Sequence, residues 1–362
     1  MKFRFGELFC GPGGLAYGAM NAEINNNNEL FNIKHQWASD INEDACETYK
    51  QNIEIESGSV FCTDVADLGI KDLPPIDAFA YGFPCNDFSV VGEKNGMEGK
   101  YGGLFKYGID VLNAHQPQWF LAENVGGLQS ADEGMAFKII LNELKNAGRG
   151  YKLTPHMYKF EEYGVPQTRH RIIIIGIRSD LDIEFRVPAP TTPNIDQMIT
   201  AKDALENPPI PKDTLNNELT NHPQSVVDRL KSIPPGENAW YDGMPEEHRL
   251  SVKGAKLSQI YKRLLPKKPA YTVTGSGGGG TYVYHWSEPR ALTNRERARL
   301  QTFPDEFEFI GKKLSVRKQI GMAVPPLAAK VIIEAVLKTF AGIEYKNVPS
   351  RWEDNGDDKE NK

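Results

Sequence analysis

The first half of the chain alternates short apolar runs with amphipathic segments. Runs that are apolar at consecutive positions predict strands buried on both faces, and the segments between them, with apolar residues at helical spacing, predict helices. The predicted strands are KFRFGELF, HQWASD, GSVFCTD, IDAFAYG, QPQWFLAENV and HRIIIIGI, and the helices between them include a segment from about Leu15, EDACETYKQN and LFKYGIDVLNAH. This alternation predicts an α/β fold with a doubly wound, mostly parallel sheet.

The pattern changes after Arg178. From 179 to 288 the chain is rich in proline, asparagine and glycine and has no sustained helical period. We therefore expect a first domain at 1–178 and a second, smaller domain of loops and short strands at 179–288. A helical segment at 289–345 is expected to pack back on the first domain. The polar residues 346–362 favour a disordered tail, and NAEINNNNEL is predicted to be a loop insertion.

Composition is that of an ordinary globular protein, with 362 residues of which 40% are hydrophobic and 25% charged. Neither a signal peptide nor a membrane span is predicted, so we expect a cytoplasmic protein with no membrane partner. The four cysteines form no Cys-x-x-Cys pair, so no metal site is expected. The net charge is -6, but residues 249–299 hold 11 Lys or Arg against 2 acids. This basic segment is either a solvated face or a phosphate-binding surface.

Side chains with useful chemistry follow the ends of the predicted strands. In a parallel sheet the carboxyl ends of the strands share one edge, where ligands bind. The residues at these ends are Cys10 to Gly14, Asp40, Asp64, Cys85 and Glu123. The turn FCGPGG offers N–H groups and space to a nucleotide-like cofactor, although a tight turn that needs positive φ has the same sequence. Asp40 and Asp64 could each bind a ligand hydroxyl or cap a helix.

Cys85 follows Pro84 at the end of the fourth predicted strand. A single cysteine at that place is either a buried structural thiol or a nucleophile. Glu123 ends the next strand, and Arg169 and Arg171 come at the start of another. A thiol, a carboxyl and a guanidinium at one edge suit attack on an electron-poor ring. Alternatively, Glu123 and Arg171 form a structural ion pair and Arg169 lies at the surface.

Six blocks of the sequence carry a recognisable pattern: ELFCGPGGLAYGA, GFPCNDFS, AENVGGL, YGVPQTRHRIIIIG, RALTNRERARLQTFPDEF and IGMAVPPLAAKVI. In order and spacing they resemble the cytosine-5 DNA methyltransferases, particularly those of bacterial restriction-modification systems. The resemblance covers most of residues 3–178 and 289–340. It implies a Rossmann-like, S-adenosylmethionine-dependent methyltransferase fold, with 1–178 as the catalytic and cofactor-binding domain and 179–288 as the target recognition domain.

The resemblance also implies roles in catalysis. Cys85, as a thiolate, would add to carbon 6 of a cytosine flipped out of the duplex, so that carbon 5 can take the methyl group of S-adenosylmethionine. Glu123 would bind ring nitrogen 3 and the exocyclic amine. Arg171, supported by Arg169, would hold the carbonyl oxygen at carbon 2.

Cofactor and DNA contacts follow from the same resemblance. The expected cofactor-binding residues are Phe9, Gly11, Gly13, Asp40, Ile41, Asp64, Val65, Pro84, Leu104 and Ala323. Asn86 and Ser89 are the expected DNA-binding residues. The segment TGSGGGGTY either passes close to the DNA backbone or is a flexible hairpin connection.

Two residues depart from the family pattern. Asn86 stands where the family usually has glutamine, and Met322 where it typically has asparagine. A thioether cannot donate the hydrogen bond that an amide would give the amino-acid end of the cofactor. We therefore expect weaker cofactor binding than is typical of the family.

The partner implied by the resemblance is double-stranded DNA, with a cognate restriction endonuclease acting separately. We expect a monomer, associated with the nucleoid in a bacterial cytoplasm. The tRNA-directed branch of the family is an alternative, which the length of 179–288 disfavours. A DNA-binding homologue with impaired catalysis is favoured by Met322 alone. A nicotinamide-dependent oxidoreductase is disfavoured because the glycines at 11, 13 and 14 lack the G-x-G-x-x-G spacing.

Overall fold

The computed structural model describes residues 1–83, 103–251, 257–275 and 277–359. Four residues with predicted roles, Pro84, Cys85, Asn86 and Ser89, lie outside these ranges. Contacts between Cα atoms divide the chain into two compact units. Unit 1 comprises Met1–Lys159, His170–Pro190 and Ala328–Lys362, and unit 2 comprises Phe160–Arg169 and Thr191–Leu327.

Unit 1 is built on one large sheet. Its strands are β1 (Lys2–Leu8), β2 (Glu23–Asn26), β3 (Glu29–Asp40), β4 (Val60–Cys62), β5 (Ala78–Gly82), β6 (Trp119–Val125), β7 (Tyr151–Lys159) and β8 (His170–Arg178). The order is β2-β3-β1-β5-β6-β8-β7, and β4 pairs with the second half of β3. Strands β1, β3, β4, β5 and β6 are parallel, whereas β2, β7 and β8 pair antiparallel. The predicted mostly parallel α/β sheet is confirmed.

Helices cover the sheet of unit 1 and provide most of the regular structure of unit 2. They are α1 (Gly14–Met20), α2 (Glu43–Asn52), α3 (Leu104–His115), α4 (Met135–Asn146), α5 (Ala201–Glu206), α6 (Gln224–Lys231), α7 (Asn294–Leu300), α8 (Lys313–Met322) and α9 (Pro326–Phe340). Helix α2 shows why a helix starts where it does. The side chain of Asn42 accepts a hydrogen bond from the N–H of Ala45, and Glu43 and Asp44 add negative charge to the first turn.

The core of unit 1 brings α3 close to β5. The side chains of Phe79, Tyr81, Phe105 and Leu112 are at most 1% exposed. A Cβ atom on Gly108 of α3 would lie 2.3 Å from the ring of Tyr81, so only glycine permits this approach. Burial of such large rings contributes a few kcal/mol each. This packing fixes β5, and β5 leads directly into the segment that carries Cys85.

The asparagine-rich segment near the N-terminus differs from the prediction of a loop insertion. Strands β2 and β3 form an antiparallel hairpin in which Ile24 pairs with Phe31. The turn residues Asn27 and Asn28 have φ angles of 48° and 68°. Asparagine tolerates this left-handed region because its short side chain hydrogen-bonds locally, so a run of asparagines closes a tight hairpin.

The C-terminal residues also differ from the prediction of a disordered tail. Two short strands, β9 (Val187–Pro188) and β10 (Asn347–Val348), pair antiparallel. The ring of Trp352 is 3% exposed and packs edge-on against Phe137 of α4, with a centroid distance of 5.1 Å. The buried indole and two ion pairs, Lys138 with Asp357 and Lys145 with Asp354, anchor this polar segment on α4.

Unit 2 has fewer strands than its composition suggested. In its described part, strand pairing is limited to isolated bridges such as Arg263 with Tyr284. Proline has no backbone N–H and cannot donate a hydrogen bond to a neighbouring strand. In unit 2 a buried arginine side chain donates to backbone carbonyl oxygens instead. The guanidinium of Arg263 is 5% exposed and donates to the backbone oxygens of Leu230, Ile233 and His285.

The stretch Lys313–Phe340 is long and apolar enough, by composition, to cross a membrane. It consists of two helices, α8 and α9, and 67% of its most apolar window is buried inside the protein. Mostly buried helices of this kind are typical of a protein core.

Candidate active site

Glu123 and Arg171 form an ion pair at the carboxyl edge of the sheet. Glu123 is near the end of β6, and Arg171 is near the start of the antiparallel strand β8, where it pairs with Val125. The Nε atom of Arg171 lies 2.8 Å from Oε1 of Glu123, and each side chain is 14% exposed. A guanidinium donates only, so its contact with Oε1 fixes the orientation of the carboxyl. The sequence placed both residues at this edge, and the structure brings them into contact.

Asn124, which the sequence analysis did not single out, holds the strand that precedes Cys85. Its side chain is buried, and Nδ2 donates to the carbonyl oxygen of Phe83 at 3.0 Å. Phe83 is the last described residue before Pro84 and Cys85. The signal in the sequence was an amide next to Glu123 near the end of a largely apolar strand.

Replacing Asn124 by alanine is expected to lower about tenfold the rate of the methyl transfer that the sequence resemblance implies, because a buried carbonyl would lose its donor. We expect a loss of about 1–3 kcal/mol of unfolding free energy from the same cause. Single-turnover kinetics and thermal unfolding measure the two effects. Asn146→Ala, which removes an exposed amide bonded to the oxygen of Asn142, is the matched control. A normal rate with reduced stability would assign Asn124 a folding role only.

Arg169 belongs to unit 2, and its side chain makes different contacts from that of Arg171. Its guanidinium is 2% exposed and donates to the carbonyl oxygens of Val273 and Gly321, both at 3.1 Å. These bonds link the chain before β8 to two other segments of unit 2. The alternative of a surface residue is therefore excluded for Arg169.

The glycine turn after β1 has the shape of a ligand cradle. Phe9, Gly11 and Gly13 have φ angles of 55°, 53° and 91°. The N–H of Gly11 donates to Oδ2 of Asp40 at 2.8 Å, and the N–H of Asn42 donates to Oδ1 at 2.9 Å. Open space lies beside Gly11, where a Cβ atom would meet nothing within 4 Å. Asp40 therefore orients the turn, and a carboxylate can accept further bonds from a ligand.

The other predicted cofactor residues of unit 1 lie after β3, after β4 and at the start of α3. Ile41 is 68% exposed, an apolar surface directly beside Asp40. Asp64 caps a short turn, since its Oδ1 accepts from the N–H of Ala66, and Val65 is buried. Leu104 begins α3 and is partly buried. The parallel pairing of Asp40 with Cys62 places the turns that follow β3 and β4 side by side.

A buried polar cluster supports this glycine turn, and sequence reasoning missed it. The hydroxyl of Tyr49 donates to Oε2 of Glu7 at 3.2 Å and lies 3.4 Å from Nδ1 of His35. Burial raises the pKa of Glu7 to about 8 and lowers the pKa of His35 to about 4. A Cβ atom on Gly13 would lie 3.0 Å from the Tyr49 ring. The signal in the sequence was an acid inside the apolar strand KFRFGELF.

Ala323 and Met322 lie in unit 2, at the end of α8. Ala323 is 6% exposed, whereas the side chain of Met322 is 67% exposed. A large apolar side chain at such exposure gains little from burial, so a polar side chain can replace it.

Comparison with known proteins gives a consistent result. A family model for C-5 cytosine-specific DNA methylase matches residues 3–338. The chain is 62% identical over 361 residues to the Type II methyltransferase M.BbvI of Brevibacillus brevis, covering 98% of this chain and 96% of that protein. It is 39% identical over 343 residues to the Type II methyltransferase M.NgoFVII of Neisseria gonorrhoeae, with 92% and 86% covered.

Among solved structures, the fold is similar to that of a candidate DNA modification methyltransferase encoded within an Escherichia coli prophage. The TM-score is 0.70 at 22% sequence identity, and 93% of this chain and 99% of that chain are covered. The sheet order, the glycine turn and the pair of Glu123 with Arg171 are thus found in a chain whose relatives are Type II methyltransferases. The family predicted from six sequence blocks is confirmed, and the chain belongs to the C-5 cytosine-specific DNA methylases, as a DNA cytosine-5 methyltransferase of the Type II restriction-modification kind.

Proposed function

We propose that this enzyme methylates carbon 5 of a cytosine, flipped out of a specific short duplex sequence, through a covalent adduct with Cys85. The observation that supports this most directly is the ion pair of Glu123 with Arg171. It sets a carboxyl and a guanidinium beside the strand end that leads to Cys85. A homologue that only bound DNA, without catalysis, would not need an oriented carboxyl at this edge.

The chemistry explains why a thiol is needed. Carbon 5 of cytosine is a poor nucleophile until the aromatic ring is interrupted. Addition of the Cys85 thiolate to carbon 6 forms a C–S bond and moves an electron pair through the ring, which makes carbon 5 enamine-like. After methylation, loss of the proton from carbon 5 and breakage of the C–S bond restore the ring and release the thiolate.

The carboxyl of Glu123 would hydrogen-bond to ring nitrogen 3 and to the exocyclic amine, and so favour protonation of that nitrogen as negative charge develops there during thiolate addition. Oε1 is taken by Arg171, and Oε2 lies beside Gly82, where an added Cβ atom would be 3.3 Å away. Glycine at 82 thus leaves room at the oxygen that would face the base. Arg171 would bind the carbonyl oxygen at carbon 2. Arg169, bonded to Val273 and Gly321, would act by holding its segment in place.

The residues present fit S-adenosylmethionine, which supplies the methyl group when it is bound. The open space at Gly11 suits an approach of the methionine part to the backbone, and Asp40 would accept from the ribose hydroxyls. Exposed Ile41 offers the apolar contact that an adenine ring requires. Phe9, Gly13, Asp64, Val65, Pro84, Leu104 and Ala323 would complete the site.

Met322→Asn is expected to tighten the binding of S-adenosylmethionine several-fold, because the amide adds a donor that the thioether lacks. Since Met322 is 67% exposed, the change should leave the melting temperature unaltered. Isothermal titration of the two proteins with cofactor measures the effect. Equal affinities would show that Met322 does not weaken the binding of the cofactor.

The substrate is double-stranded DNA in this proposal, and the reactive ring reaches the sheet edge only after base flipping, which costs a few kcal/mol. Asn86 and Ser89 would contact the DNA next to Cys85. The basic segment 249–299 belongs to unit 2, which would recognise the sequence. We propose a monomer at the nucleoid of a bacterial cytoplasm, with a separate endonuclease cutting unmethylated sites.

Bisulfite sequencing of unmethylated plasmid DNA, after incubation with protein and S-adenosylmethionine, tests the proposal. Protected cytosines that recur within one short sequence are the expected result. Uniform conversion of the plasmid, with transfer to tRNA instead, would favour the RNA-directed alternative.

A second experiment tests the nucleophile. DNA with 5-fluorocytosine at the mapped site should trap a covalent complex in the presence of cofactor, because fluorine cannot leave as a proton does. Cys85→Ser should form no such complex. An adduct in that variant would exclude Cys85 as the nucleophile.

A further inference from the structure

Three of the cysteines of this chain lie around Asp40 in unit 1. Cys10 is in the turn after β1, Cys46 is on α2, and Cys62 ends β4. Cys10 and Cys46 belong to one apolar cluster and are at most 5% exposed, whereas Cys62 is exposed. The proposed methyl transfer uses none of these three thiols, although they surround a carboxylate that orients the glycine turn.

Cys46 and Cys62 form a pair of neighbouring thiols. The S–H of Cys46 donates to the carbonyl oxygen of Asp40, with a distance of 3.4 Å between sulfur and oxygen. The thiol of Cys62 lies within hydrogen-bonding reach of the same sulfur. The parallel pairing of β3 with β4 sets Asp40 beside Cys62 and so fixes the backbone that carries this thiol. Two thiols in such proximity need only a local shift to reach the S–S bond length of about 2.05 Å.

The two thiols differ in accessibility and in proton affinity. Cys62 is exposed, so a dissolved oxidant reaches it first. Burial, then Cys62 and then the charge of Asp40 raise the pKa of the Cys46 thiol, and Lys50 has a smaller opposing effect. Cys46 is therefore protonated and shielded in the reduced protein. An accessible thiol with a second thiol beside it is the arrangement found in redox-sensitive cysteine pairs.

We propose that Cys46 and Cys62 are a modification site, at which a peroxide forms a reversible disulfide that weakens the binding of S-adenosylmethionine. The inference rests on the proposed function, because it takes S-adenosylmethionine as the ligand of the turns after β1, β3 and β4. It concerns the control of cofactor binding and leaves the role of Cys85 unchanged.

The oxidation proceeds in two steps. The sulfur of Cys62, as a thiolate, attacks one oxygen of the peroxide, so that the O–O bond breaks and Cys62 becomes a sulfenic acid. The sulfur of Cys46 then loses its proton and displaces hydroxide from the sulfur of Cys62, which forms the S–S bond and breaks the S–O bond. Overall, two thiols are oxidised to one disulfide, and one hydrogen peroxide is reduced to two waters.

The position of the pair explains why cofactor binding should respond. The carbonyl oxygen of Asp40 accepts from the N–H of Thr63 at 3.1 Å and from the S–H of Cys46, and the disulfide removes the second donor. Cys46 is held in the apolar cluster, so Cys62 has to move toward it. In the described sheet β4 has three residues and pairs with β3 alone, which makes its end easier to move. That movement would reach Asp64, a predicted cofactor contact that closely follows Cys62.

The test uses the Cys85→Ser protein, so that oxidation of the proposed nucleophile makes no contribution. Peptide mapping by mass spectrometry locates the disulfide after treatment with hydrogen peroxide, and isothermal titration measures the affinity for S-adenosylmethionine. A disulfide between Cys46 and Cys62 is expected. The oxidised protein should bind the cofactor about tenfold more weakly, the size of one lost hydrogen bond. Dithiothreitol should restore the affinity of the reduced protein.

Two further variants in the same background act as controls. Cys62→Ser, at an exposed position, should have the same cofactor affinity before and after peroxide treatment. Cys10→Ala, which removes a buried thiol of the same cluster, should still form the disulfide and still lose affinity on oxidation. A disulfide between Cys10 and Cys46, or oxidation of Cys62 to a sulfinic acid without any disulfide, would overturn the pairing. A disulfide between Cys46 and Cys62 that left the affinity unchanged would overturn its effect on the cofactor.

Linkage gives an independent measurement of the same coupling. In a buffer of oxidised and reduced dithiothreitol, saturating S-adenosylmethionine should shift the equilibrium toward the two thiols by the factor that the disulfide costs in affinity. Equal amounts of disulfide with and without the cofactor would refute the coupling. Reduced protein that does not bind S-adenosylmethionine would instead refute the cofactor site of the proposed function, whereas the mapped disulfide does not depend on that site.

Discussion

Glu123→Gln is expected to slow methyl transfer about a thousandfold while leaving the affinity for DNA within a few-fold of the wild type. The amide has the shape of the carboxyl, and its oxygen can still accept from Arg171, which lies 2.8 Å away. Its NH2 group can still donate to ring nitrogen 3 of a bound cytosine. It cannot deliver a proton as negative charge develops, and proton transfer by a positioned group is typically worth 10²–10⁴ in rate. Single-turnover transfer from labelled S-adenosylmethionine measures the rate, and anisotropy the affinity.

Arg171→Lys supplies the second half of this experiment. Lysine keeps the charge but loses the planar donors that orient the carboxyl, so a smaller loss of rate is expected. The double variant should be little slower than Glu123→Gln, because the two groups act as one unit. Glu143→Gln, at an exposed position on α4, serves as the control. A Glu123→Gln enzyme within threefold of the wild-type rate would show that the ion pair is structural.

Glu7→Gln is expected to raise the free energy of unfolding by a few kcal/mol at pH 8 and to leave it nearly unchanged at pH 4.5. Burial raises the pKa of Glu7 from 4.5 to about 8, with a smaller contribution from Asp40 and against the effect of the Tyr49 hydroxyl. The folded protein therefore keeps a proton that the unfolded chain releases above pH 4.5. Stability falls as pH rises from about 4.5 to about 8, since the native state binds more protons in that window.

Glutamine keeps the shape of the neutral acid but does not titrate, so the variant should lose that part of the pH dependence. Urea unfolding at several pH values between 4.5 and 8 measures it. Glu143→Gln should keep the wild-type dependence. A Glu7→Gln protein with the same pH dependence as the wild type would place the titrating group elsewhere.

The sequence predicted the sheet and the edge at which the candidate catalytic and binding side chains lie, because both depend on local patterns. Consecutive apolar residues in HRIIIIGI and acids at the ends of β3 and β6 are visible in the chain itself. The sequence placed Glu123 and Arg171 at one edge of the sheet. It could not show that they are in contact, because the contact depends on the antiparallel register of β6 with β8.

What sequence reasoning missed is long-range. The bond from Asn124 to Phe83 joins residues 41 positions apart, and the bond from Tyr49 to Glu7 joins residues 42 apart. The role of Arg169 depends on carbonyls more than 100 positions away. In the tail, composition favoured disorder, but Trp352 is buried and the aspartates at 354 and 357 pair with lysines of α4. The average polarity of a segment does not reveal such specific contacts.

The chain enters unit 2 twice, and this limits which segments recombination between two such enzymes could exchange. The first passage, Phe160–Arg169, is ten residues long. The amide of Gln167 in it donates to the oxygens of Leu300 and Gln301 and accepts from the N–H of Val273. A crossover that replaced only residues 191–327 by those of another enzyme would pair the buried amide of Gln167 with a foreign segment. Its hydrogen bonds to that segment would then not be matched. Chimaeras that also carry the donor's 160–169 should therefore fold more often than those that do not, and in the proposed function they should also acquire the donor's target sequence.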